Sequence, residues 1–356
     1  IIVRHAHGPG CYGHNGADDA ALDAAIVATL VPGTPIRVLW SRADEFAFAP
    51  AGTAMQTSLS AVLDADGRPI DLSATIVSGV HVNRGAGRLL ASRTLPNAQP
   101  LPPPTESSDP YPGAGTRNIV PYYDIPAMRY AHHLVAGTPI RTSALRGLGA
   151  VENVFALESF MDELAELAGQ DPVAYRLGLL SDPRARRLVQ HAAAMANWPA
   201  RGPAGTGIGL GLAFARYKNR SGYACVAVQV EADTEIRLRH IWCAADAGLA
   251  INPDGVRAQL EGGIIQAASM ALKEQLRIDE SGTASRSWAD YPILRFSEIP
   301  PIDIALMDEP DEPSLGMGEC TMGPTAAAIA NAASHALGLR LRHMPLTRER
   351  ILAAAA

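Results

Sequence analysis

Four short segments hold residue types at spacings that could do chemistry. Gly8-Pro9-Gly10-Cys11-Tyr12-Gly13 spells G-x-G-x-x-G ahead of a helical pattern. Such a loop leaves backbone N–H groups free to meet a phosphate or another polar group. Leu145-Arg146-Gly147-Leu148-Gly149 is a second glycine-flanked loop before a helix. Gln259-Leu260-Glu261-Gly262-Gly263 falls inside a predicted helix, where two glycines cost roughly 2 kcal/mol against alanine, so close packing or a ligand needs the space. Gly316-Met317-Gly318-Glu319-Cys320 sets one carboxylate among small and apolar residues, ahead of a helix that Pro324 can start as its first residue. Glycines there admit a ligand to Glu319, and a carboxylate in a dry place suits general-base work. A solvated glutamate on a surface turn is the alternative.

The opening fingerprint fits a dinucleotide site poorly. Such folds want the third glycine in the first helical turn and an acidic residue about 20 positions on. Here His14-Asn15-Gly16-Ala17 intervenes, and Asp44 and Glu45 come late. A nicotinamide or flavin site and a plain glycine turn both stay open at this point, as does a cradle for a larger polar cofactor. His5, His7 and His14 could suggest a metal site, but strand alternation already explains the first two.

The elements that must position these segments can be read in outline. Asp18 or Asp19 can cap a helix running to about Leu30, stopped by Pro32-Gly33. PIRVLW (35–40) reads as a strand, and residues 55–83 as a hairpin turning at Asp66-Gly67. Residues 96–125 carry eight prolines and predict a linker or surface loop. Helices are expected near 151–168, 173–180 and 184–196, the first with Val154, Leu157, Met161, Leu164 and Leu167 on one face. Strands follow at GYACVAVQVEA and EIRLRHIWCAADAG. Asn252-Pro253-Asp254-Gly255 then turns into a helix, two strands are expected near 291–295 and 302–307, and an alanine-rich helix runs from Pro324 to Leu337. The result is an α+β chain of mixed sheets with packed helices. Its expected parts are 1–95, a first cofactor-binding segment, the 96–125 linker, a helical segment at 126–200 after the Arg146 loop, and a second cofactor-binding domain at 201–356.

The 356 residues are 47% hydrophobic and 19% charged, which describes a globular chain with a substantial core. A net charge of −6 argues against nucleic acid as the main partner. No window approaches a membrane span. Four scattered cysteines, Cys11, Cys225, Cys243 and Cys320, offer no C-x-x-C pair for zinc or an iron–sulfur cluster. The chain has no initiator Met and reads as a piece of a longer polypeptide, which leaves the compartment open between cytoplasm and periplasm.

Taken in order, GPGCYG, LRGLGAVENVFALESFMDELA, DAGLAINPDGVRAQLEGGIIQAASMAL and GMGECTMGPTAAAIANA resemble the molybdenum hydroxylases of the xanthine dehydrogenase and aldehyde oxidase family. The likeness is to the large subunits of the isoquinoline 1-oxidoreductase and nicotinate dehydrogenase branch, over nearly the whole chain. The resemblance implies that Glu319 is the catalytic base. It implies that Gly10, Cys11, Tyr12 and Gly13 lie over the metal, that Arg146, Gly147 and Gly318 approach the cofactor, and that Gln259 hydrogen-bonds its pterin. No protein side chain is expected on the metal. The implied cofactor is a molybdopterin-type molybdenum cofactor, with its cytosine dinucleotide form left open. The implied reaction hydroxylates an N-heterocycle or oxidises an aldehyde, with water as the oxygen source. Electrons would leave through iron–sulfur clusters on a small partner subunit. Cys320 stands where relatives commonly have proline, and Gln266-Ala267-Ala268 where they often have phenylalanine and glycine. A further methionine–glycine–glutamine–glycine loop of the family is missing here, so a partner chain or an N-terminal half should complete the cavity. A non-catalytic subunit of the same fold is the runner-up, and an NAD(P)-dependent dehydrogenase comes third. The sequence does not choose a substrate. Arg84, Arg88, Arg93 and Arg117 are candidates for orienting an anionic one.

Overall fold

A computed structural model describes residue 2 and residues 8–83, 88–94, 114–280, 282–307 and 309–356. The expected strand at the N-terminus, His5, His7, Arg84 and most of the proline-rich stretch lie outside these. Helix α1 (Ala17–Leu30) and the short α2 (Arg42–Phe48) precede a three-stranded sheet of β1 (Met55–Leu63), β2 (Pro69–Ser78) and β3 (Ala127–Leu134). The hairpin forms as expected, β1 running antiparallel to β2 around the Asp66-Gly67 turn. Strand β3, not anticipated from sequence, joins β2 in parallel, so residues on both sides of 96–125 share one sheet.

Next come α3 (Ala150–Leu167), α4 (Pro172–Gly178) and α5 (Pro183–Met195). Asp171 and Asp182 cap the last two, each followed by a proline that is preset for the first helical position. A second sheet is built from β4 (Ile208–Arg216), β5 (Tyr223–Ala232), β6 (Ile236–Asp246) and, after α6 (Pro253–Leu272) and a two-residue hairpin β7 (Ile278–Asp279) and β8 (Gly282–Thr283), the parallel edge strand β9 (Ile302–Met307). Helix α7 (Met322–Leu337) and the terminal α8 (Arg348–Ala355) complete the chain.

This second sheet is buried on both faces. Val226, Val228, Ile241 and Cys243 meet α6 and α7 on one side. Leu212, Phe214, Cys225 and Ala227 meet α4 and α5 on the other. Strand β4 was missed in the sequence because Gly209 and Gly211 weaken a strand pattern. Those glycines are what α7 rests on: a Cβ on Gly209 would lie 1.9 Å from the Ala332 carbonyl oxygen, and one on Gly211 2.2 Å from the Ala332 nitrogen. The alanines of α7 and the glycines of β4 thus bring backbone against backbone, and Gly338 ends the helix with φ +67° as expected.

Some local expectations are corrected. Among the described residues PIRVLW pairs with no strand; Trp40 instead packs on Gly16, donates its indole N–H to Asp23, and hands over to the Ser41–Asp44 capping box of α2. Residues 291–295 are likewise unpaired, with the Leu294 N–H spent on Ser269 Oγ. Neither Asp18 nor Asp19 caps α1; Asp19 is buried and paired with Arg141 at 2.8 Å. Leu167, the last residue of α3, reaches past the core and is exposed. Pro324 is the third residue of α7 rather than the first. No helix among the described residues is long and apolar enough to cross a membrane.

Candidate active site

The four glycine segments meet. Gly13 forms an isolated antiparallel bridge with Leu145, and the His14 and Arg146 N–H groups donate to the Ala144 and Tyr12 carbonyls at 2.7 and 2.8 Å. The approach is possible because residue 13 has no side chain: a Cβ there would stand 2.1 Å from the Ala144 oxygen, and φ is +146°. Tyr12 also has positive φ, and its ring lies 5.8 Å from the Arg146 guanidinium. His14 holds this corner by hydrogen bonds to Ser143 and Asp18. That accounts for it without a metal.

Arg146 is the junction. Its Nε donates to the Gly318 carbonyl at 2.6 Å, and Nη2 to the Gln259 carbonyl and Oε1 at 3.0 and 3.1 Å. Nη1 reaches Gln266 Oε1 at 3.4 Å, a role for the residue that departs from the family pattern. Burial lowers the pKa of Arg146, against the favourable field of Tyr12, Glu319 and Cys320. Gly147, with φ +93°, turns its N–H onto Glu319 Oε1 at 2.9 Å.

The glycine pair of α6 divides two tasks. Gly263 lets the helix lie against Thr321, whose hydroxyl oxygen would be 2.3 Å from a Cβ, and Gly262 leaves ground for Arg146 Nη1. The Cys320 thiol is buried and pushed up to about 12 by that burial, so it stays protonated and donates weakly to the Met317 carbonyl.

Gly10, Cys11, Tyr12, Gly13, Arg146, Gly147, Gln259, Gly318 and Glu319 therefore belong to one constellation. Its outer side is open, since Gly10, Cys11, Tyr12 and Gln259 are exposed while Glu319 is half-buried. The surroundings of Glu319 are more polar than the sequence suggests. Tyr217 lies near the carboxylate, and Lys218 and Arg146 place positive charge nearby. Of the four arginines considered for substrate, Arg117 reaches this neighbourhood, donating to the Tyr217 hydroxyl at 2.8 Å. Arg88 and Arg93 stand beside Arg141 instead. Tyr217 and Lys218 were missed because β4 was missed. That Lys218 is one of only two lysines was the available signal.

No βαβ unit follows the first glycine loop: the strand after α1 and α2 is one arm of an antiparallel hairpin. That removes the dinucleotide reading. What the fold and site define is a cradle made of glycine loops, with one carboxylate at its edge.

Comparison with known proteins agrees. The description "Molybdopterin cofactor-binding domain" matches twice, over residues 103–178 and 161–300. The chain is 39% identical over 371 aligned residues to a subunit of nicotinate dehydrogenase from Pseudomonas putida, covering 99% of this chain and 30% of that protein. It is 31% identical to the beta subunit of isoquinoline 1-oxidoreductase from Brevundimonas diminuta, covering 95% of this chain and 41% of that one. In fold it is similar to quinoline 2-oxidoreductase from Pseudomonas putida 86, with a TM-score of 0.77 at 16% identity over 97% of this chain and 67% of that one. The chain belongs to the xanthine dehydrogenase family of molybdopterin-binding polypeptides. It spans less than half the length of these two curated relatives.

Proposed function

We propose that this chain forms part of the catalytic subunit of a molybdenum-dependent oxidoreductase, hydroxylating an N-heterocycle or oxidising an aldehyde. The observation that supports this best is the Arg146 junction, which ties Gly318 and Gln259 together while Gly147 directs its N–H at Glu319.

The residues fit a molybdopterin-type cofactor. A Cβ on Gly318 would meet only Gln259 Oε1 at 3.7 Å, and one on Gly262 only Arg146 Nη1 at 3.6 Å, so the cradle floor has room. Gln259 accepts from Arg146 through its oxygen, which leaves its amide N–H₂ to donate to a pterin. When bound, the cofactor supplies a two-electron acceptor and the route by which oxygen from water reaches the substrate.

In this reading Gly10–Gly13 and Gln259 would hold the cofactor, Arg146 fixes the Gly318 backbone and the Gln259 amide, and Glu319 would take a proton at its carboxylate. The exposed side formed by Gly10, Cys11, Tyr12 and Gln259 is closed by a partner chain or an upstream half. Iron–sulfur clusters on a small further subunit carry the electrons away, since no C-x-x-C pair occurs here.

The test uses the whole enzyme with its co-purifying polypeptides. Molybdenum near one per chain, with iron on a second small polypeptide, is the expected content. Glu319→Gln should keep the metal and lose about 10²–10⁴-fold in turnover of nicotinate, isoquinoline or an aldehyde with an artificial electron acceptor. Absence of molybdenum in the intact complex would leave the non-catalytic reading.

A further inference from the structure

Away from the cradle, the chain shapes a second cleft. It has a volume of about 610 Å³ and lies between α2, the 88–94 segment, residues 139–141 and the β7–β8 hairpin. Phe48, Leu90, Ile140 and Leu276 give it an apolar wall, and Arg93, Arg141 and Arg286 line it with positive charge. None of its lining residues belongs to the constellation around Glu319. The size is that of a small-molecule site, and so is the pairing of apolar walls with a few convergent polar groups.

The walls are held from behind. Arg141 pairs with the buried Asp19 of α1, its Nη1 and Nη2 donating to Oδ1 and Oδ2 at 3.0 and 2.8 Å. The same Nη2 donates to the Phe48 carbonyl, and the same Asp19 Oδ1 accepts the Leu90 N–H at 2.9 Å. One ion pair therefore fixes two of the four apolar residues. The far wall is tied to α2 by Phe46, whose ring lies 5.5 Å from those of both Trp288 and Tyr291. Arg42 adds a contact 4.9 Å from the Trp288 ring. The cleft is thus formed before anything enters it, which spares a ligand the cost of ordering its walls.

The charges divide into those already spent and those left over. Arg141 is committed to Asp19 and the Phe48 carbonyl. Asp44, the one acidic residue lining the cleft, spends Oδ2 on the N–H and hydroxyl of Ser41, at 2.9 and 2.7 Å. Among the described residues the Arg286 side chain has no hydrogen bond or ion pair, its backbone N–H alone going to Asp290. Arg93 makes one long bond, 3.4 Å to the Arg88 carbonyl. Partial burial, with Arg141 and Arg88 close by, lowers the pKa of Arg93, the mark of crowded like charges. An anion in the cleft relieves that crowding.

We propose that this cleft binds a small carboxylic acid with an apolar body, its carboxylate on Arg93 and Arg286 and its ring or chain against Phe48, Leu90, Ile140 and Leu276. A guanidinium presents paired N–H donors that match a carboxylate. Asp44 keeps the net positive charge of the lining low, which favours one negative charge over several. The site does not use Glu319 and stands whether or not that residue is the base.

Equilibrium dialysis of radiolabelled benzoate against the purified whole enzyme tests this. Wild type should bind benzoate, and Glu319→Gln should retain it. Arg286→Ala and Arg93→Gln should each weaken binding about tenfold, with molybdenum content unchanged. Both side chains are exposed, so neither change should disturb folding. Benzamide, neutral and of the same shape, should compete at least about tenfold worse than benzoate, and so should inorganic phosphate, which has no apolar body. Benzoate bound equally by wild type and both arginine variants overturns the proposal. So does a whole enzyme that binds none, the result if a partner polypeptide fills the cleft. Loss of benzoate in Glu319→Gln would place it at the cradle, and loss of molybdenum in the arginine variants would give the cleft to the cofactor. Either outcome overturns the proposal too.

Discussion

Two arginine–glutamate neighbourhoods in this molecule use the same side chains to opposite ends. In the core, Arg176 is fully buried between α3 and α4, with Nε on Glu158 at 2.9 Å and Nη1 on Asp162 at 2.6 Å. Glu158 accepts further bonds from the Tyr123 hydroxyl and the Phe214 N–H, at 2.7 and 2.9 Å. Both its oxygens are thus engaged, and the cluster joins two helices to the second sheet. At the cradle, Arg146 spends its donors on the Gly318 carbonyl and on Gln259 and Gln266, and makes no ion pair with Glu319. Glu319 is left with the Gly147 N–H, which donates to its Oε1 at 2.9 Å. A carboxylate saturated by an arginine is a fastener. One that accepts from a backbone N–H, while the nearby arginine spends its donors elsewhere, retains room to take a proton.

The largest test of that contrast removes the core arginine. Arg176→Met leaves Glu158 and Asp162 buried without their partner and should destabilise the protein by about 3–5 kcal/mol, read by denaturant unfolding. Glu319→Gln should leave the unfolding midpoint nearly unchanged while turnover collapses. If Glu319→Gln unfolds as readily as Arg176→Met, the two sites are not different in kind.

Arg146→Lys sharpens the same point, because an ammonium cannot reproduce the fork that spans Gly318 and Gln259. Molybdenum retained through purification should fall severalfold, and unfolding of the metal-free protein should shift by only about 1 kcal/mol.

Two buried groups should then bend the pH dependence of stability in opposite directions. Burial, with His132 and Arg117 nearby, brings His81 down to about 4. The folded state therefore keeps it neutral while the unfolded chain takes up a proton below about 6.5, and stability is lost as pH falls through that window. The loss approaches about 3 kcal/mol by pH 4, and His81→Gln should abolish it. Glu152, at the start of α3 with a buried and unpartnered Oε2, is pushed up to about 7 by burial. Its unfolded form ionises first, so stability falls as pH rises from about 4.5 to 7. Glu152→Gln should add about 1–2 kcal/mol above pH 7 and nothing below 4.5, read as melting temperature against pH. A flat profile in either variant's parent would show that the group is reached by water.

Much of the outline was legible because it rests on local rules. Asn252-Pro253 starts a helix, Gly338 ends one, and Asp66-Gly67 turns a hairpin wherever the chain is placed. The helix faces of α3 followed the same logic up to Leu164 and failed at Leu167, where the element outruns its partner. The apolar PIRVLW misled because a strand exists only with a strand beside it, and none is offered there.

The sequence by itself determined the family, the order of the four glycine segments and the glutamate among them, and Gly13, Gly147 and Gly263 are required at their positions by backbone angle or close approach. Only the tertiary structure decided what surrounds Glu319. Gly147, Tyr217 and Arg117 lie 172, 102 and 202 residues from it along the chain. Their meeting depends on α7 settling onto Gly209 and Gly211 and on Asn118 and Asn153 fastening distant loops. Contacts of that length are set by the packing of whole elements, which no local pattern encodes.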